Sequence, residues 1–226
     1  ACFHTCCGKR ICNGCEIGVL DEDVSMGKRD DELGLCPFCR APSNISDEEE
    51  HTRLMKQVEC NNAIALYNHA GNYRQGLDGY PQDTAKAREF YLKAGELGYG
   101  VAYYNLGTLY YWETGDGEVL DKKKGRKFYE LAARNGDAAA LHTLGSIEGG
   151  TGNHRRGIKY YMTSAKGGYK FSMDEVKKAF INGGYGITKN EYESTLAAYQ
   201  KQQDEMKSDR RDRAAAIIQL GAARGM

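Results

Sequence analysis

Apolar residues in the middle of the chain follow a helical spacing. Leu106, Leu109 and Tyr110 follow Ala102 at steps of three and four residues. Residues with this spacing lie on one face of an α-helix, so the pattern predicts an amphipathic helix. A loop with several glycines comes next, and a second apolar stretch around Tyr129 predicts another helix.

This two-helix pattern is repeated. The stretch from Ala65 to Gly98 matches the stretch from Ala102 to Gly136 at a spacing of 37 or 38 residues, and a shorter third copy follows. The matching pairs are Ala65/Ala102, Asn68/Asn105, Tyr73/Tyr110, Asp83/Asp121, Phe90/Phe128, Tyr91/Tyr129, Ala94/Ala132 and Gly98/Gly136. A fixed period of about 20 to 50 residues is typical of stacked repeats, in which each helix pair buries its apolar face against the next.

Polar residues and glycines mark the ends of the predicted second helices. Asp83, Asp121 and Asn153 occupy one equivalent position, where a side-chain oxygen can accept from an unpaired amide at a helix start. Each second helix is expected to end at a glycine that can adopt a left-handed conformation: Gly98, Gly136 and Gly168. Gly107, inside a first helix, is expected to let a neighbouring helix approach closely.

The pattern A-x3-LG-x2-Y, a glycine-rich loop and D-x3-A-x2-(F/Y)Y-x2-A-x3-G resembles the Sel-1-like repeat, a relative of the tetratricopeptide repeat. The resemblance covers about residues 62–168, with repeats at about 62–98, 99–136 and 137–168. It implies a mainly α fold, an α-solenoid of stacked helix pairs, that binds a protein or peptide partner. Glu148 departs from the pattern, because it stands where the second copy has a tyrosine.

Non-core positions on the first helices are the candidate partner-binding residues. They form one row of Tyr67, Tyr104 and His142 and a second row of Asn68, Asn105 and Thr143. Tyrosine offers rigid apolar area, and asparagine can pair with a peptide backbone as both donor and acceptor. The alternative is that the tyrosine row packs between repeats.

Seven of the eight cysteines lie within the first 39 residues. Two C-x2-C pairs, Cys12/Cys15 and Cys36/Cys39, can each place two thiolates on a tetrahedral zinc ion. A segment with so few large apolar residues needs a metal for its stability. We therefore expect residues 1–41 to bind zinc, and disulfides or free thiols are the alternative.

The order of these cysteines resembles the later part of a RING finger, in which eight ligands bind two zinc ions in a cross-brace. The resemblance makes Cys12/Cys15 the third ligand pair and Cys36/Cys39 the fourth. It also places Cys7 at the start of the family's C-G-H-x-F-C motif.

The remaining ligands of this module are open. Lys9 stands where the family usually has a ligating histidine, and an ammonium group cannot bind zinc. Cys6 or His4 is the candidate replacement beside Cys7. The first ligand pair either lies upstream of the first residue or is replaced by Cys2, His4 and Cys6, so one or two zinc ions are expected.

RING fingers commonly act as ubiquitin ligases by recruiting a ubiquitin-conjugating enzyme. The resemblance implies that Ile11 and Pro37 would contact that enzyme, with Arg40 in the position of the cation that contacts ubiquitin. An arginine suits this role because its planar group can donate to two carbonyls at once. No tryptophan precedes Cys36, so a purely structural zinc module is the alternative.

Residues 42–61 are expected to form a linker and a helix that caps the first repeat. The sequence Ser46-x-x-Glu49 is a capping box, which predicts the start of that helix. Cys60 is expected to be a small buried residue.

Residues 169–226 are expected to form two helices that cap the other end of the stack, followed by a charged tail. The sequences Ser172-x-x-Glu175 and Thr188-x-x-Glu191 predict the two helix starts.

The composition of the chain argues against some classes of function. The chain has 31 basic and 31 acidic residues, and zero net charge argues against a nucleic-acid or membrane binder. No apolar run is long enough to cross a bilayer, and no signal peptide is visible, although the sequence begins at Ala1 and upstream targeting stays open.

Two functional hypotheses follow from the sequence, in which no catalytic residues are recognised. The first is an intracellular zinc-binding interaction scaffold, located in the cytoplasm or the nucleus. The second is a RING-type ubiquitin ligase whose repeats select the substrate.

Overall fold

The structure is a computed structural model, and it describes residues 2–4, 9–11, 46–77, 79–113 and 120–206. The chain divides into two units, one of which comprises residues 70–206. In the other unit, strands β1 (Cys2–His4) and β2 (Lys9–Ile11) pair antiparallel, with Cys2 opposite Ile11.

Helices account for most of the described residues. In chain order they are α1 (Asp47–Glu59), α2 (Ala63–Gln75), α3 (Thr84–Glu96), α4 (Gly100–Tyr111), α5 (Lys122–Arg134), α6 (Ala138–Gly150), α7 (His154–Lys166), α8 (Lys170–Ile181) and α9 (Lys189–Met206). The first unit holds α1 and the start of α2, and residues 70–206 hold the rest.

Two of the three predicted aspartate and asparagine caps are confirmed. The Oδ1 atoms of Asp83 and Asp121 each accept a hydrogen bond of 2.9 Å from the amide three residues on, at the starts of α3 and α5. Asn153 makes no such bond at the start of α7, and its side-chain amide donates to Thr151 Oγ1 at 3.3 Å.

The predicted glycine terminators are confirmed. Gly98, Gly136 and Gly168 follow α3, α5 and α7 with φ values of 90°, 84° and 87°. A side chain would strain this left-handed conformation, so glycine is the residue that fits each turn.

The start of α1 is as predicted, but the burial of the residue that follows it is not. Ser46 Oγ accepts a hydrogen bond of 3.3 Å from the amide of Glu49. The expectation that Cys60 is buried is wrong, since Cys60 is an exposed free cysteine at the C-terminal cap of α1. Its place beyond the last helical residue takes it off the buried face.

Of the last two predicted helix starts, the one at Thr188 is confirmed and the one at Ser172 is wrong. Thr188 and Glu191 form the capping box of α9, with Thr188 N donating to Glu191 Oε2 at 2.9 Å and Glu191 N donating to Thr188 Oγ1 at 3.2 Å. The start proposed at Ser172 is wrong. Helix α8 begins after Tyr169, and Ser172 is a fully buried residue of its first turn.

The core of residues 70–206 lies between consecutive helix pairs. One cluster joins α5 to α6 and consists of Tyr129, Ala132, Ala140, Leu144 and Ile147. A second joins α7 to α8 through Ala165, Met173 and Val176, with Tyr192, Leu196 and Tyr199 of α9 packed against it. Each pair therefore buries its apolar face against the next, as expected for an α-solenoid of stacked helix pairs.

Candidate functional site

The predicted partner-binding rows occupy half-buried positions on three helices. Tyr67 and Asn68 lie on α2, in the first unit, and the other four residues lie on α4 and α6. Thr143 uses its hydroxyl within its own helix, donating to the Ala139 carbonyl at 3.1 Å.

Tyr104 and His142 each pack on a tyrosine of the second helix in their own pair. The ring of Tyr104 lies 5.5 Å from that of Tyr129, and the ring of His142 lies 5.0 Å from that of Tyr161. The two residues are equivalent in the repeat, and both contribute to packing within a pair.

A chain of hydrogen bonds crosses from α6 to α8 beside His142. Its Nδ1 is 2.9 Å from Ser172 Oγ, which donates to Ser164 Oγ at 2.8 Å, and Ser164 Oγ donates to the Ala138 carbonyl at 2.6 Å. Burial lowers the pKa of His142, and the charge of Glu175 opposes this shift. Ser172 therefore ties three helices together, which explains why it is buried within α8.

Glu148 is a buried carboxylate that the sequence reasoning did not recognise as a structural element. Its side chain is 1% exposed and accepts a hydrogen bond from Arg126 of α5, while Arg156 Nε of α7 lies 3.4 Å away. Burial opposes ionisation of Glu148, but the hydrogen bond and charge of Arg126, with the charge of Arg156, outweigh it and lower its pKa. The sequence signal that could have revealed this ion pair was a glutamate at the position that Tyr110 occupies in the second repeat.

A glycine and a tyrosine fix the contact between the two helices of a pair. A Cβ atom on Gly107 would lie only 2.7 Å from the ring of Tyr129, so the α4 backbone packs directly on that ring. The same 2.7 Å separates a Cβ on Gly145 from the ring of Tyr161, between α6 and α7. The role predicted for Gly107 is confirmed.

An open cavity of about 670 Å³ lies beside Tyr161, between α6, α7 and α8. Gly149 and Gly150 line it from α6, and Cβ atoms on them would meet no other atom within 4 Å. Ser146 Oγ and Tyr161 OH, also in the lining, are 2.9 Å apart and hydrogen-bonded.

Two further rings, those of His154 and Tyr185, line the cavity. The ring of His154 stacks on that of Tyr185, with centroids 4.6 Å apart. Tyr185 lies in the turn between α8 and α9 with φ of 61°, a conformation that L-residues rarely adopt. Backbone strain of this kind concentrates at ligand-binding sites.

Comparison with known families identifies the helix pairs. The profile of the Sel1 repeat matches residues 63–99 and 100–137. These two segments of the chain are therefore similar to the Sel1 repeat. No curated protein matches it significantly.

Two solved structures share this fold with the chain. A Sel1 repeat protein from Oxalobacter formigenes superposes with a TM-score of 0.58 at 22% identity, covering 86% of this chain and 72% of that one. A protective antigen present in uropathogenic Escherichia coli strains, which displays an SLR fold, gives a TM-score of 0.55 at 21% identity and covers 82% of this chain and 38% of that one. The Sel1-like repeat fold is therefore shown.

The candidate cavity lies beyond the two matched Sel1 repeats, in the third helix pair. That pair keeps the glycine–tyrosine contact of the second repeat, at Gly145 and Tyr161. It differs at the two positions that open the cavity, Gly149 and Gly150.

Most of the predicted zinc and ubiquitin-related residues lie outside the part of the chain that the structure describes. Those outside the described residues are Cys6, Cys7, Cys12, Cys15, Cys36, Pro37, Cys39 and Arg40. His4 and Ile11 lie in β1 and β2. In the described parts of the chain, no group of three or more His, Cys, Asp or Glu side chains could hold a metal, and no helix is long and apolar enough to cross a membrane.

Proposed function

We propose that this protein is an interaction scaffold whose helix pairs bind a peptide segment of a protein partner. The observation that carries this proposal is the open cavity beside Tyr161. Its volume of about 670 Å³ lies within the range of about 300–1,000 Å³ typical of binding sites. Its lining combines the rings of Tyr161 and Tyr185 with polar groups, which include the ion pair of Glu175 and Lys178.

The pair of His142 and Ser172 resembles a nucleophile and its base by distance alone. A catalytic serine must reach a substrate, whereas Ser172 is fully buried and donates its proton to Ser164. The arrangement therefore supports packing rather than hydrolysis.

Selection from a displayed library of random peptides tests the scaffold proposal. The full chain, immobilised through one terminus, is expected to enrich a family of related sequences that bind saturably as free synthetic peptides. A chain heated to unfolding before selection is the control for non-specific capture. Enrichment that is equal on both samples would overturn the proposal.

The N-terminal segment is part of the proposal as a zinc-binding module of one or two ions. Its support is the spacing of Cys12, Cys15, Cys36 and Cys39, which suits two thiolate pairs. Cys7, with Cys6 or His4, would complete the ligand set. Because reduced thiolates persist in reducing compartments, the proposal includes an intracellular location.

A second candidate function is that of a RING-type ubiquitin ligase, with the helix pairs recruiting the substrate. It is favoured by the C-P-x-C-R sequence that ends in Arg40. Autoubiquitination with a panel of conjugating enzymes is the test. We expect chain formation that Arg40→Ala reduces, and no activity with any enzyme would leave the scaffold function alone.

A further inference from the structure

The second and third helix pairs pack their two helices in the same register, so equivalent positions in the two pairs can be compared. A Cβ on Gly125 would lie 2.8 Å from Tyr111 N and 3.0 Å from Gly107 O. A Cβ on the equivalent Gly157 would lie 3.3 Å from Gly149 N and 2.8 Å from Gly145 O. Gly149 therefore occupies the structural position of Tyr111.

The second repeat shows what fills this position. The ring of Tyr111 packs 6.2 Å from the ring of Tyr129 and 4.6 Å from that of Trp112, and the ammonium of Lys122 lies 5.6 Å from its centroid. In the third pair Tyr161 keeps the place of Tyr129, but glycines replace both the tyrosine and the tryptophan.

We propose that the cavity beside Tyr161 binds an aromatic side chain of the partner peptide, which takes the place that Tyr111 fills in the preceding repeat. This inference rests on the proposed scaffold function and names the anchor residue that the scaffold recognises. Aromatic anchors buried in pockets commonly dominate the affinity of an interface.

The lining is suited to a ring with a polar substituent. Tyr161, His154 and Tyr185 contribute rings to the lining, and a bound ring can pack against them in offset or edge-to-face contacts. The hydroxyls of Ser146 and Tyr161 already form a hydrogen-bonded pair, and each oxygen has a further lone pair for the hydroxyl of a tyrosine.

The segment after α9 and an exposed tryptophan are two possible sources of this ring in the chain itself. Residues 207–226 contain no phenylalanine, tyrosine or tryptophan, so this segment cannot supply the ring. Trp112 is 58% exposed and is a candidate donor from a second copy. Measurement of the oligomeric state tests that occupant, because self-association lost in Trp112→Ala would overturn the assignment to a partner peptide.

The experiment is a titration of the full chain with p-cresol, the analogue of the tyrosine side chain, followed by NMR. Its saturated counterpart 4-methylcyclohexanol has nearly the same shape and carries the same hydroxyl. We expect saturable binding of p-cresol with a Kd of about 1 mM or tighter, and binding of the saturated compound that is weaker by about fivefold or more. Equal affinities, or no saturation by about 20 mM, would overturn the inference.

Two variants locate the bound ring. Gly149→Tyr restores the residue of the preceding repeat and is expected to weaken p-cresol binding by about tenfold or more, whereas Ser194→Tyr, on an exposed position of α9, leaves it unchanged within about twofold. Tyr185→Gly removes one wall from an exposed turn without altering a helix, and it is expected to weaken binding by about fivefold. Binding unaffected by both cavity variants would overturn the inference.

The peptide selection separates this inference from the scaffold function. If enriched peptides share an aromatic residue and lose binding to Gly149→Tyr, both proposals are supported. If peptides are enriched but bind Gly149→Tyr equally well, the scaffold function stands and the aromatic site is overturned. Failure to enrich any sequence counts against the scaffold itself.

Discussion

Arg126 donates a hydrogen bond to the carboxylate of Glu148, which is buried between the second and third helix pairs. Arg156 approaches the same carboxylate from α7, so one anion lies between cations from two different pairs. The arginines remain partly exposed, with side-chain exposures of 30% and 60%. Water therefore stabilises the cations, and the cations stabilise the buried anion.

Glu148→Gln is expected to destabilise the protein by about 1.5–3 kcal/mol, because a neutral amide accepts a weaker hydrogen bond from Arg126 than the carboxylate does. Unfolding in urea, followed by circular dichroism, measures the change. Glu130→Gln is the matched control, since Glu130 pairs with the same Arg126 at 3.2 Å and its side chain is 36% exposed, against 1% for Glu148. This control should cost less than about 1 kcal/mol. Equal losses would show that Glu148 gains nothing from its buried location.

Gly107→Ala is expected to destabilise the protein by about 1–3 kcal/mol, since the new methyl group would overlap the ring of Tyr129. Gly149→Ala is the matched control on α6, where a methyl group has open space. It should stabilise the protein by about 0.5–1 kcal/mol, because alanine favours the helix over glycine. Thermal unfolding of both variants is the measurement, and a loss in both would contradict the packing argument.

The alkaline stability of the protein should depend on Tyr129. Burial raises the pKa of this phenol to about 12 in the folded protein, against an ordinary value near 10. The unfolded chain therefore releases this proton first, so its contribution to stability is present below about pH 10 and is lost as the pH rises towards 12. The loss should approach about 3 kcal/mol.

Tyr129→Phe isolates this effect from the titration of the other tyrosines. The difference in free energy of unfolding between the wild type and Tyr129→Phe is expected to change by about 2 kcal/mol between pH 8 and pH 12. A difference that is constant over this range would mean that the phenol ionises equally in both states.

Zinc content tests the N-terminal module. We expect one or two zinc ions per chain in protein carrying its native N-terminus, and a loss of zinc in Cys12→Ser and Cys36→Ser. Cys60→Ser replaces the exposed cysteine of α1 and should leave the metal content unchanged. Protein that is free of metal and has oxidised these cysteines to disulfides would contradict the prediction.

Features that depend on nearby residues could be predicted from the sequence. Asp83 and Asp121 cap helices through an amide three residues away, and Gly98 terminates one through its own conformation. The helix pairs could be predicted for a similar reason. The apolar face of each helix is formed by residues that lie within about a dozen positions of one another in the sequence.

Features that depend on distant partners could not be predicted in this way. The pattern Ser172-x-x-Glu175 suggested a cap, but the hydroxyl of Ser172 is used by Ser164 and His142 on other helices. The ion pair of Glu148 with Arg126 joins residues that share no local motif. The cavity did leave a signal, since aligned repeats show two glycines where the second repeat has Tyr111 and Trp112.

The contact between Gly145 and Tyr161 lies one helical turn from Gly149. Because the contact at Gly145 holds the two helices together, a bulky side chain at position 149 can be replaced by glycine while that contact is kept. Tandem duplication with such an exchange supplies a route by which one helix pair acquires a cavity where the preceding pair has a ring, while the packing between its two helices is kept.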